Sequence, residues 1–383
     1  MKRVPIIVLA ALAGFFALGD RYAISVMYTQ FMTNYGISSK VIFSILFSSF
    51  YIGYTIMQIP GGKLSERFGP ARISGISLVL WSIFLLLLTE ERSFGEAVVL
   101  AFLMGLSQGP IFPSIMFLVR LHYDDEEYGK ATGYVSFLAD MSPAVVPFVA
   151  FSLFKLEPVL IFPIAIFVVA GIITGTILTF LKTEFKKIEQ KARWSILRNP
   201  NLWIFGVTFF LYDFLFYVFL TWYPSFLVDR YGIEQGNFVF YSAPWILMGF
   251  TAIISGYILD RAKRDAVITV ASYFVLFFSM ISIAFFHNQY IFLIMVTVIL
   301  SLLNPILLSS WRYSTRLAGK DSSALVGGWM NSWGNLGGIA APFATASIAS
   351  LVGLNSMFLY FSFLSLIAGI LWILLKVRPY EKS

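Results

Sequence analysis

Cysteine is absent from the 383-residue chain, and histidine occurs only twice. A chain without cysteine forms no disulfide and has no thiol nucleophile. His122 and His287 fall at the ends of separate hydrophobic segments, too far apart to share a metal ion, so we expect neither a metal nor a cofactor. The sequence also has no glycine-rich nucleotide-binding loop and no recognisable catalytic set. These absences argue against an enzyme and against a pump driven directly by ATP.

Charge is scarce as well. Charged residues make up 12% of the chain, whereas hydrophobic residues make up 58%. Soluble domains of this size do not have such a composition. The sequence therefore predicts an all-α membrane protein that crosses the lipid bilayer many times.

Long hydrophobic segments alternate with short polar breaks. About 20 apolar residues in a helix span the ~30 Å hydrocarbon core of a bilayer. We predict twelve such helices, at residues 5–32, 40–61, 71–89, 95–120, 128–154, 157–181, 201–227, 237–258, 266–286, 290–311, 323–351 and 355–375. The only long polar break divides them into an N-terminal six-helix bundle (1–181), a cytoplasmic linker (182–200) and a C-terminal six-helix bundle (201–383).

The distribution of basic residues predicts the orientation. With twelve helices both termini lie on one side, and that side carries most of the lysines and arginines. Only Lys40, Arg92, Lys155 and Arg230 fall on the other side, and Arg21 falls inside the membrane. Because basic loops stay in the cytoplasm, both termini are expected there, in the cell membrane. The net charge of +7 then reflects topology and does not indicate nucleic-acid binding.

The two halves of the chain repeat each other. Residues 62–67 and 256–261, after the second and eighth predicted helices, both read Gly-x-apolar-x-acid-Arg. The fifth and eleventh helices share one spacing of polar residues, glycine and proline: Ser136, Asp140, Pro143 and Pro147 against Asn331, Asn335, Gly338 and Pro342. Asp20 likewise has a counterpart in Asp213. Parallel repeats with a site at their interface are typical of one large class of transporters.

Asp20 and Arg21 are adjacent charges near the middle of the first predicted helix. A charge at that depth costs on the order of 3 kcal/mol or more, so it usually faces a cavity and marks a site. Adjacent residues lie ~100° apart around a helix, and the two side chains therefore face different neighbours. The alternative is an internal ion pair that only fixes helix packing.

Residues 62–73 read Gly-Lys-Leu-Ser-Glu-Arg-Phe-Gly-Pro-Ala-Arg-Ile. This segment resembles the loop signature of the major facilitator superfamily, which implies a fold of two pseudo-symmetric six-helix halves. Glycines permit a tight turn, and the charged residues can form an ion-pair latch between conformations. The residues of the predicted latch are Gly62, Glu66, Arg67, Gly69, Arg72, Asp260 and Arg261. The alternative is a basic loop that only fixes topology.

Other segments resemble the anion:cation symporter family of that superfamily. They are Asp20-Arg21-Tyr22-Ala23-Ile24-Ser25, residues 58–62 (Gln-Ile-Pro-Gly-Gly), 105–113 (Gly-Leu-Ser-Gln-Gly-Pro-Ile-Phe-Pro), 221–227 and 331–338. The resemblance implies transport of organic anions, often with protons. In one respect the chain departs from the family, which carries an Arg and a proton-coupling Glu where Ala101 and Gln108 stand here. Glutamine does not titrate, and Asp140 is a candidate replacement.

A protein that carries a carboxylate needs a cation to compensate the negative charge and hydrogen-bond donors to orient the substrate. Arg21 is the expected anion anchor, because its planar fork binds a carboxylate through two hydrogen bonds. The other predicted substrate-binding residues are Tyr51, Tyr54, Gln108, Tyr217, Asn331 and Asn335. Tyrosines also gather at membrane interfaces, and asparagines also join helices by hydrogen bonds. These structural roles are the alternatives.

The candidates for proton coupling are Asp20, Asp140 and Asp213. An anion bound at Arg21 compensates its positive charge, and a neighbouring carboxyl then takes up a proton more readily. Anion and proton would each favour binding of the other.

The sequence thus predicts an alternating-access transporter that carries a small organic anion, a carboxylate or sugar acid, across the cell membrane with protons. Its expected partners are the anion, protons and the lipid bilayer, and we expect a monomer. Three alternatives remain: a proton-coupled antiporter or exporter of hydrophobic or cationic compounds, an uncoupled uniporter, and a sensor that binds ligand without moving it.

Overall fold

The computed structural model describes residues 3–123, 125–182, 196, 198–261, 265–318 and 323–375. Over these residues the chain is helical, without a β-strand. The helices are α1 (Arg3–Val26), α2 (Tyr28–Asn34), α3 (Lys40–Phe68), α4 (Pro70–Glu90), α5 (Phe94–Gln108), α6 (Ile111–His122), α7 (Asp125–Leu156), α8 (Ile161–Phe180), α9 (Pro200–Tyr231), α10 (Phe238–Arg261), α11 (Asp265–Phe285), α12 (Gln289–Ala318) and α13 (Ser323–Leu374).

The prediction of twelve helices is confirmed, although some helix boundaries differ from the predicted ones. Eleven helical segments in the described part of the chain are long and apolar enough to span a membrane. The last of these contains two predicted helices, which meet at Gly353 with φ +83°. The first predicted helix is interrupted at Met27, between α1 and α2. The fourth is interrupted at Gly109-Pro110, since proline cannot donate the helical hydrogen bond.

Several helices run past the predicted ends. The helix α12 continues through Arg312 and Arg316 to Ala318, and α9 continues through Arg230 to Tyr231. Hydropathy identifies the part of a helix that lies in lipid, whereas the helical hydrogen bonds of the backbone can continue into the water beyond it. The extra turns carry most of the charged contacts described below.

The chain divides into two compact units. The first comprises Met1–Ile188 and Leu220–Ser242, and the second comprises Glu189–Phe219 and Ala243–Ser383. The first unit thus contains the end of α9 and the beginning of α10, in addition to the first six predicted spans. The predicted bundle boundaries at 1–181 and 201–383 remain a prediction.

Glycines let α3 and α5 pack backbone against backbone in the first unit. A Cβ atom added to Gly53 would overlap the carbonyl oxygen of Phe102, and one added to Gly105 would overlap that of Phe50. Small residues at such crossings permit the close contacts that hold membrane helices together. This contact fixes the position of the α3 residues from Phe50 to Tyr54.

The turn after α3 needs one glycine in particular. Gly69 has φ +95° and ψ 133°, and it ends α3 and precedes Pro70, the first residue of α4. Only glycine adopts this conformation without strain. The backbone conformation of this turn therefore explains the glycine at position 69, one of the predicted latch residues.

Replacing Gly53 or Gly105 with alanine is expected to destabilise the protein. The added methyl group must displace a backbone carbonyl, and such overpacking typically costs about 1–3 kcal/mol. The matched control is Gly62→Ala on the same helix, where an added Cβ meets no atom within 4 Å. Thermal unfolding in detergent should give a lower midpoint for both test variants and an unchanged or higher midpoint for the control. Equal midpoints for all three variants would contradict the packing argument.

Candidate functional site

Asp20 is held by a tryptophan of another helix. Its side chain is fully buried, and its Oδ2 accepts a hydrogen bond of 2.7 Å from Nε1 of Trp81 on α4. Its Oδ1 is buried without a hydrogen-bond partner among the described residues. Ionisation of this carboxyl group is therefore costly in free energy, because the group has one neutral hydrogen-bond donor and an otherwise apolar environment.

Arg21 faces a different helix from Asp20. Its guanidinium carbon lies 5.4 Å from the ring centroid of Phe50, 6.0 Å from that of Tyr51 and 5.2 Å from that of Tyr54, all on α3. Its Nε donates to the carbonyl oxygen of Ala17 at 3.3 Å. Aromatic faces attract a cation, most strongly where water is excluded. The rings therefore help to orient the guanidinium within the bundle.

A pocket opens at Arg21 within the first unit. Its lining comes from α1, α3, α4, α5 and α9, and is formed by Arg21, Ile24, Leu46, Phe47, Phe50, Tyr51, Trp81, Ala101, Met104, Leu220 and Thr221. The Tyr51 hydroxyl lies close to both Arg21 and Thr221. Tyr54 is buried and stacks on Phe50, with ring centroids 6.0 Å apart. The structure thus brings together three predicted residues: Arg21, Tyr51 and Tyr54.

Gln108 joins two helices instead of lining this pocket. It is 1% exposed, and its Nε2 donates to the carbonyl oxygen of Ala17, the same oxygen that Arg21 contacts. Its Oε1 is buried without a hydrogen-bond partner among the described residues. Gln108 therefore anchors α5 to α1 one turn before the charged pair, and its substrate-binding role remains a prediction.

Asp140 lies on α7, the helix that packs along α1. An added Cβ at Gly19 would lie 3.1 Å from the Cβ of Ser142, two residues after Asp140. Asp140 itself is half-buried. No hydrogen bond or ion pair joins it to another described residue.

The remaining predicted binding residues lie in the second unit. A Cβ added to Gly334 of α13 would overlap Oδ2 of Asp213, so this aspartate lies directly against the helix that carries Asn331 and Asn335. Asn335 is 6% exposed and Tyr217 is 9% exposed, whereas Asn331 is half-buried. The structure therefore places Asp213 beside the asparagine segment.

The ion pairs of the predicted latch are not present among the described residues. Glu66, Arg67 and Arg72 are exposed, and no ion pair joins them to the described residues. Arg261 stacks on Tyr257, with its guanidinium carbon 3.9 Å from the ring centroid. Gly62 lies within α3, and the side chain of Asp260 lies outside the described residues. The latch stays a prediction.

Sequence reasoning missed an ion-pair cluster in the second unit. Asp265, the first residue of α11, is 5% exposed and accepts from Arg316 at 2.6 Å. Arg312 lies 3.9 Å from the same carboxylate and donates to the carbonyl oxygen of Leu259 at 2.8 Å. An acid at a helix N-terminus is stabilised by the helix dipole. The position of Asp265 at the start of a predicted helix was therefore the one feature of the sequence that could have indicated this cluster.

Sequence reasoning also missed a polar cluster in the first unit, which we call the Lys40–Asp229 cluster. Lys40 pairs with Asp229 near the end of α9 and donates to Ser225 at 2.7 Å. The Tyr28 hydroxyl donates to Asp229 at 3.2 Å, and Gln30 donates to Gln235 at 2.9 Å. These residues come from separate predicted spans and loops, and no local motif connects them.

The eleven long apolar segments are those of a multi-pass membrane protein, with Asp20 and Arg21 inside the first of them. The chain belongs to the major facilitator superfamily, because the model of that family matches residues 10–342. The resemblance deduced from the sequence is thereby confirmed. Membership makes the protein a transporter and not an enzyme.

Similar proteins cover nearly the whole chain. The hexuronate transporter of Bacillus subtilis is 25% identical over 92% of this chain and 89% of the relative. The probable galactarate/D-glucarate transporter GudP of the same organism is 26% identical, with coverage of 95% and 89%. The probable sulfoacetate transporter SauU of Cupriavidus necator is 25% identical, with coverage of 86% and 83%.

A solved structure has the same fold. A bacterial homologue of the human lysosomal transporter Spinster, in an inward-facing and occupied conformation, superimposes with a TM-score of 0.84. It is 13% identical in sequence, and the match covers 98% of this chain and 97% of the homologue.

Proposed function

We propose that the protein is a secondary transporter that moves a small organic anion across the cell membrane together with protons, by alternating access. The observation that carries the proposal is Arg21, an arginine in a pocket of a membrane-spanning bundle, with its guanidinium held by three aromatic rings. The relatives support the anionic substrate, since their names specify hexuronate, galactarate or D-glucarate, and sulfoacetate.

Arg21 acts as the anion anchor. The guanidinium fork offers two parallel N–H donors to a carboxylate or sulfonate. Its weak hydration lowers the free energy needed to remove it from water, compared with an ammonium group. The Tyr51 hydroxyl, close to Arg21 and Thr221, supplies a further donor to the same anion.

Asp20 carries the coupled proton. Its carboxyl is fully buried next to the anchor and accepts one hydrogen bond, from the neutral Trp81. When an anion compensates the charge of Arg21, the electrostatic gain from keeping Asp20 ionised falls. Protonation and anion binding then favour each other, which is the requirement for symport. The half-buried Asp140 is the second candidate.

The Lys40–Asp229 cluster controls access from one side of the membrane. From the distribution of basic residues, we expect this side to lie opposite the cytoplasm. The cluster ties the last turns of α9 to α2 and α3 through side chains that are partly exposed. Such contacts are weak enough to break in each cycle, since exposed ion pairs contribute about 0–1 kcal/mol.

Arg21→Gln is expected to lower anion uptake strongly, because the loss of a charge-assisted hydrogen bond costs about 1.5–3 kcal/mol. That range corresponds to a fall of about tenfold to a hundredfold in kcat/KM. Arg21→Lys, the matched control, keeps the charge without the fork and should lose less. Uptake of labelled glucuronate, sulfoacetate and phenylacetate into proteoliposomes measures the effect. Uptake by Arg21→Gln at the rate of the unaltered protein would disprove the anchor.

Asp20→Asn is expected to abolish accumulation driven by an inward proton gradient while preserving anion exchange. Asparagine keeps the shape of the acid but cannot release a proton. Asp140→Asn is the matched control and should retain accumulation. The reverse pattern would assign the proton to Asp140. If collapse of the gradient leaves uptake by the unaltered protein unchanged, the protein is an uncoupled uniporter, an alternative that the non-titrating Gln108 favours.

A reversible thiol cross-linker between Lys40→Cys and Asp229→Cys is expected to stop transport, and a reductant should restore it. The chain has no other cysteine, so the cross-link is specific. The matched control is the pair Ser65→Cys and Ser114→Cys, whose hydroxyl groups are hydrogen-bonded between α3 and α6 of one bundle. Transport should survive cross-linking there. Undiminished transport with Lys40 and Asp229 linked would contradict a gating role.

A further inference from the structure

An acidic side chain of the second unit lies far from the helix ends. Asp213 is near the middle of α9 and is half-buried. The other charged side chains that the structure describes in the helices of this unit lie within two turns of a helix end: Arg261, Asp265, Arg312 and Arg316. A carboxyl group at the depth of Asp213 is costly to ionise unless it has polar neighbours or a route to water.

The buried face of α11 leads from the helix end toward that depth. Asp265, Thr269 and Tyr273 are spaced four residues apart, so they lie on one face of the helix. Each is at most 5% exposed. Thr269 donates to the backbone carbonyl oxygen of Asp265 at 3.1 Å. Tyr273 lies about 12 Å beyond Asp265 along the helix axis, at 1.5 Å per residue.

Tyr273 connects this face to Asp213. Its hydroxyl group is close to the indole nitrogen of Trp372 and within electrostatic reach of the Asp213 carboxylate. Asp213 itself lies against α13, where a Cβ added to Gly334 would overlap its Oδ2. A tyrosine hydroxyl both accepts and donates a hydrogen bond. Tyr273 can therefore accept from Trp372 and donate its own proton toward Asp213.

A related pair of an acid and an aromatic donor occurs in the first unit. There Asp20 accepts a hydrogen bond of 2.7 Å from Trp81. Asp213 follows Asp20 by 193 residues, and Tyr273 follows Trp81 by 192 residues. The internal repeat thus preserves the acid and its aromatic neighbour. It replaces an indole N–H, which only donates, with a hydroxyl group, which can relay a proton.

Two buried hydroxyl groups of α12 extend the polar residues to the helix ends. Tyr313 is 4% exposed and Ser309 is 1% exposed, and neither hydroxyl has a hydrogen-bond partner among the described residues. The ring centroids of Tyr313 and Trp372 are 5.7 Å apart. Arg316, one turn beyond Tyr313, donates to Asp265 at 2.6 Å. Buried hydroxyl groups without a protein partner are ordinarily bonded to water.

We propose that Asp213 gains and loses a proton through water bound at the hydroxyl groups of Tyr273 and Tyr313. This proton path ends at the Asp265–Arg316 pair, at the side of the membrane that we expect to be cytoplasmic. A proton that enters there is passed between hydrogen-bonded waters and the two hydroxyl groups to a carboxylate oxygen of Asp213, and it leaves by the same route. Only O–H bonds form and break.

The charges at the end of the path permit this transfer. Asp265 compensates the positive charge of Arg316, which lowers the electrostatic barrier to an entering proton. Arg312 lies 3.9 Å from the same carboxylate. The titratable and charged groups described along the path are Asp213, Tyr273, Tyr313, Asp265, Arg312 and Arg316.

The proton at Asp213 is a second coupled proton, in addition to the one assigned to Asp20. In this respect the inference rests on the proposed function. The bound water and the protonation of Asp213 do not depend on transport, so they are measured separately.

Radiolytic labelling of the full chain in detergent tests the bound water. Hydroxyl radicals that an X-ray pulse forms from bound water oxidise the side chains beside it, and mass spectrometry gives the rate at each residue. Tyr313 and Tyr273 should each be oxidised several-fold faster than Tyr223. Tyr223 is the matched control, because it is fully buried and its hydroxyl donates to the carbonyl oxygen of Phe240. If either tyrosine is oxidised no faster than Tyr223, the path is wrong.

Infrared difference spectroscopy tests the proton at Asp213. The carboxyl C=O band that appears as the pH is lowered should lose a component in Asp213→Asn. In D₂O, Tyr313→Phe should slow the isotope shift of that component by about tenfold, the factor that the loss of one hydrogen bond supplies. Tyr223→Phe also removes one buried hydroxyl and should leave the rate unchanged. An intact band in Asp213→Asn, or equal rates in the two phenylalanine variants, would contradict the path.

Transport separates the inference from the proposed function. With Asp20 intact, Asp213→Asn should lower the anion accumulation ratio reached at a fixed inward proton gradient, because one proton fewer is coupled to each cycle. An unchanged ratio in a folded Asp213→Asn protein would overturn the second coupled proton and leave symport through Asp20 standing. If the gradient has no effect on the unaltered protein, both coupled protons are ruled out, and the labelling result alone decides the bound water.

Discussion

The structure depends on how a charge is kept inside a membrane-spanning bundle. An ionised group in hydrocarbon costs several kcal/mol unless neighbours replace its water. Asp20 and Arg21, though adjacent, meet this requirement separately: the acid uses the indole N–H of Trp81, and the base uses three aromatic faces of α3. The two adjacent side chains therefore have different neighbours on different helices.

Close helix packing puts those neighbours in reach. The contact of Gly53 and Gly105 with opposing carbonyl groups brings α3 and α5 together without intervening side chains. This packing places Phe50 and Tyr54 beside Arg21, and it places Ala101 and Met104 in the wall of the pocket. Glycines, which contribute no side chain to the pocket, therefore help to determine its position. The same packing leaves the wall of the pocket largely apolar.

Much of the fold could be read from the sequence because lipid imposes simple rules. The length of the apolar segments predicted the helices and their number, and the resemblance of residues 62–73 to a known signature indicated the superfamily. Arg21, Tyr51 and Tyr54 could be grouped because charge and aromatic residues stand out in apolar helices. The Lys40–Asp229 cluster and the Arg312–Asp265–Arg316 contacts could not, since they join residues distant in sequence at helix ends. Gln108 was assigned to substrate binding by its motif, whereas its amide bonds to a backbone carbonyl that only the packed structure brings near it.

Two of the hydrogen bonds that α1 makes with neighbouring helices differ in their response to acid. Gln108 donates a neutral amide hydrogen to Ala17, and neither partner gains or loses a proton at any physiological pH. Trp81 donates to a carboxyl oxygen, which becomes a weaker acceptor once Asp20 is protonated. Protonation of Asp20 would therefore weaken its hydrogen bond from Trp81 of α4 and leave the hydrogen bond from Gln108 of α5 to Ala17 unchanged.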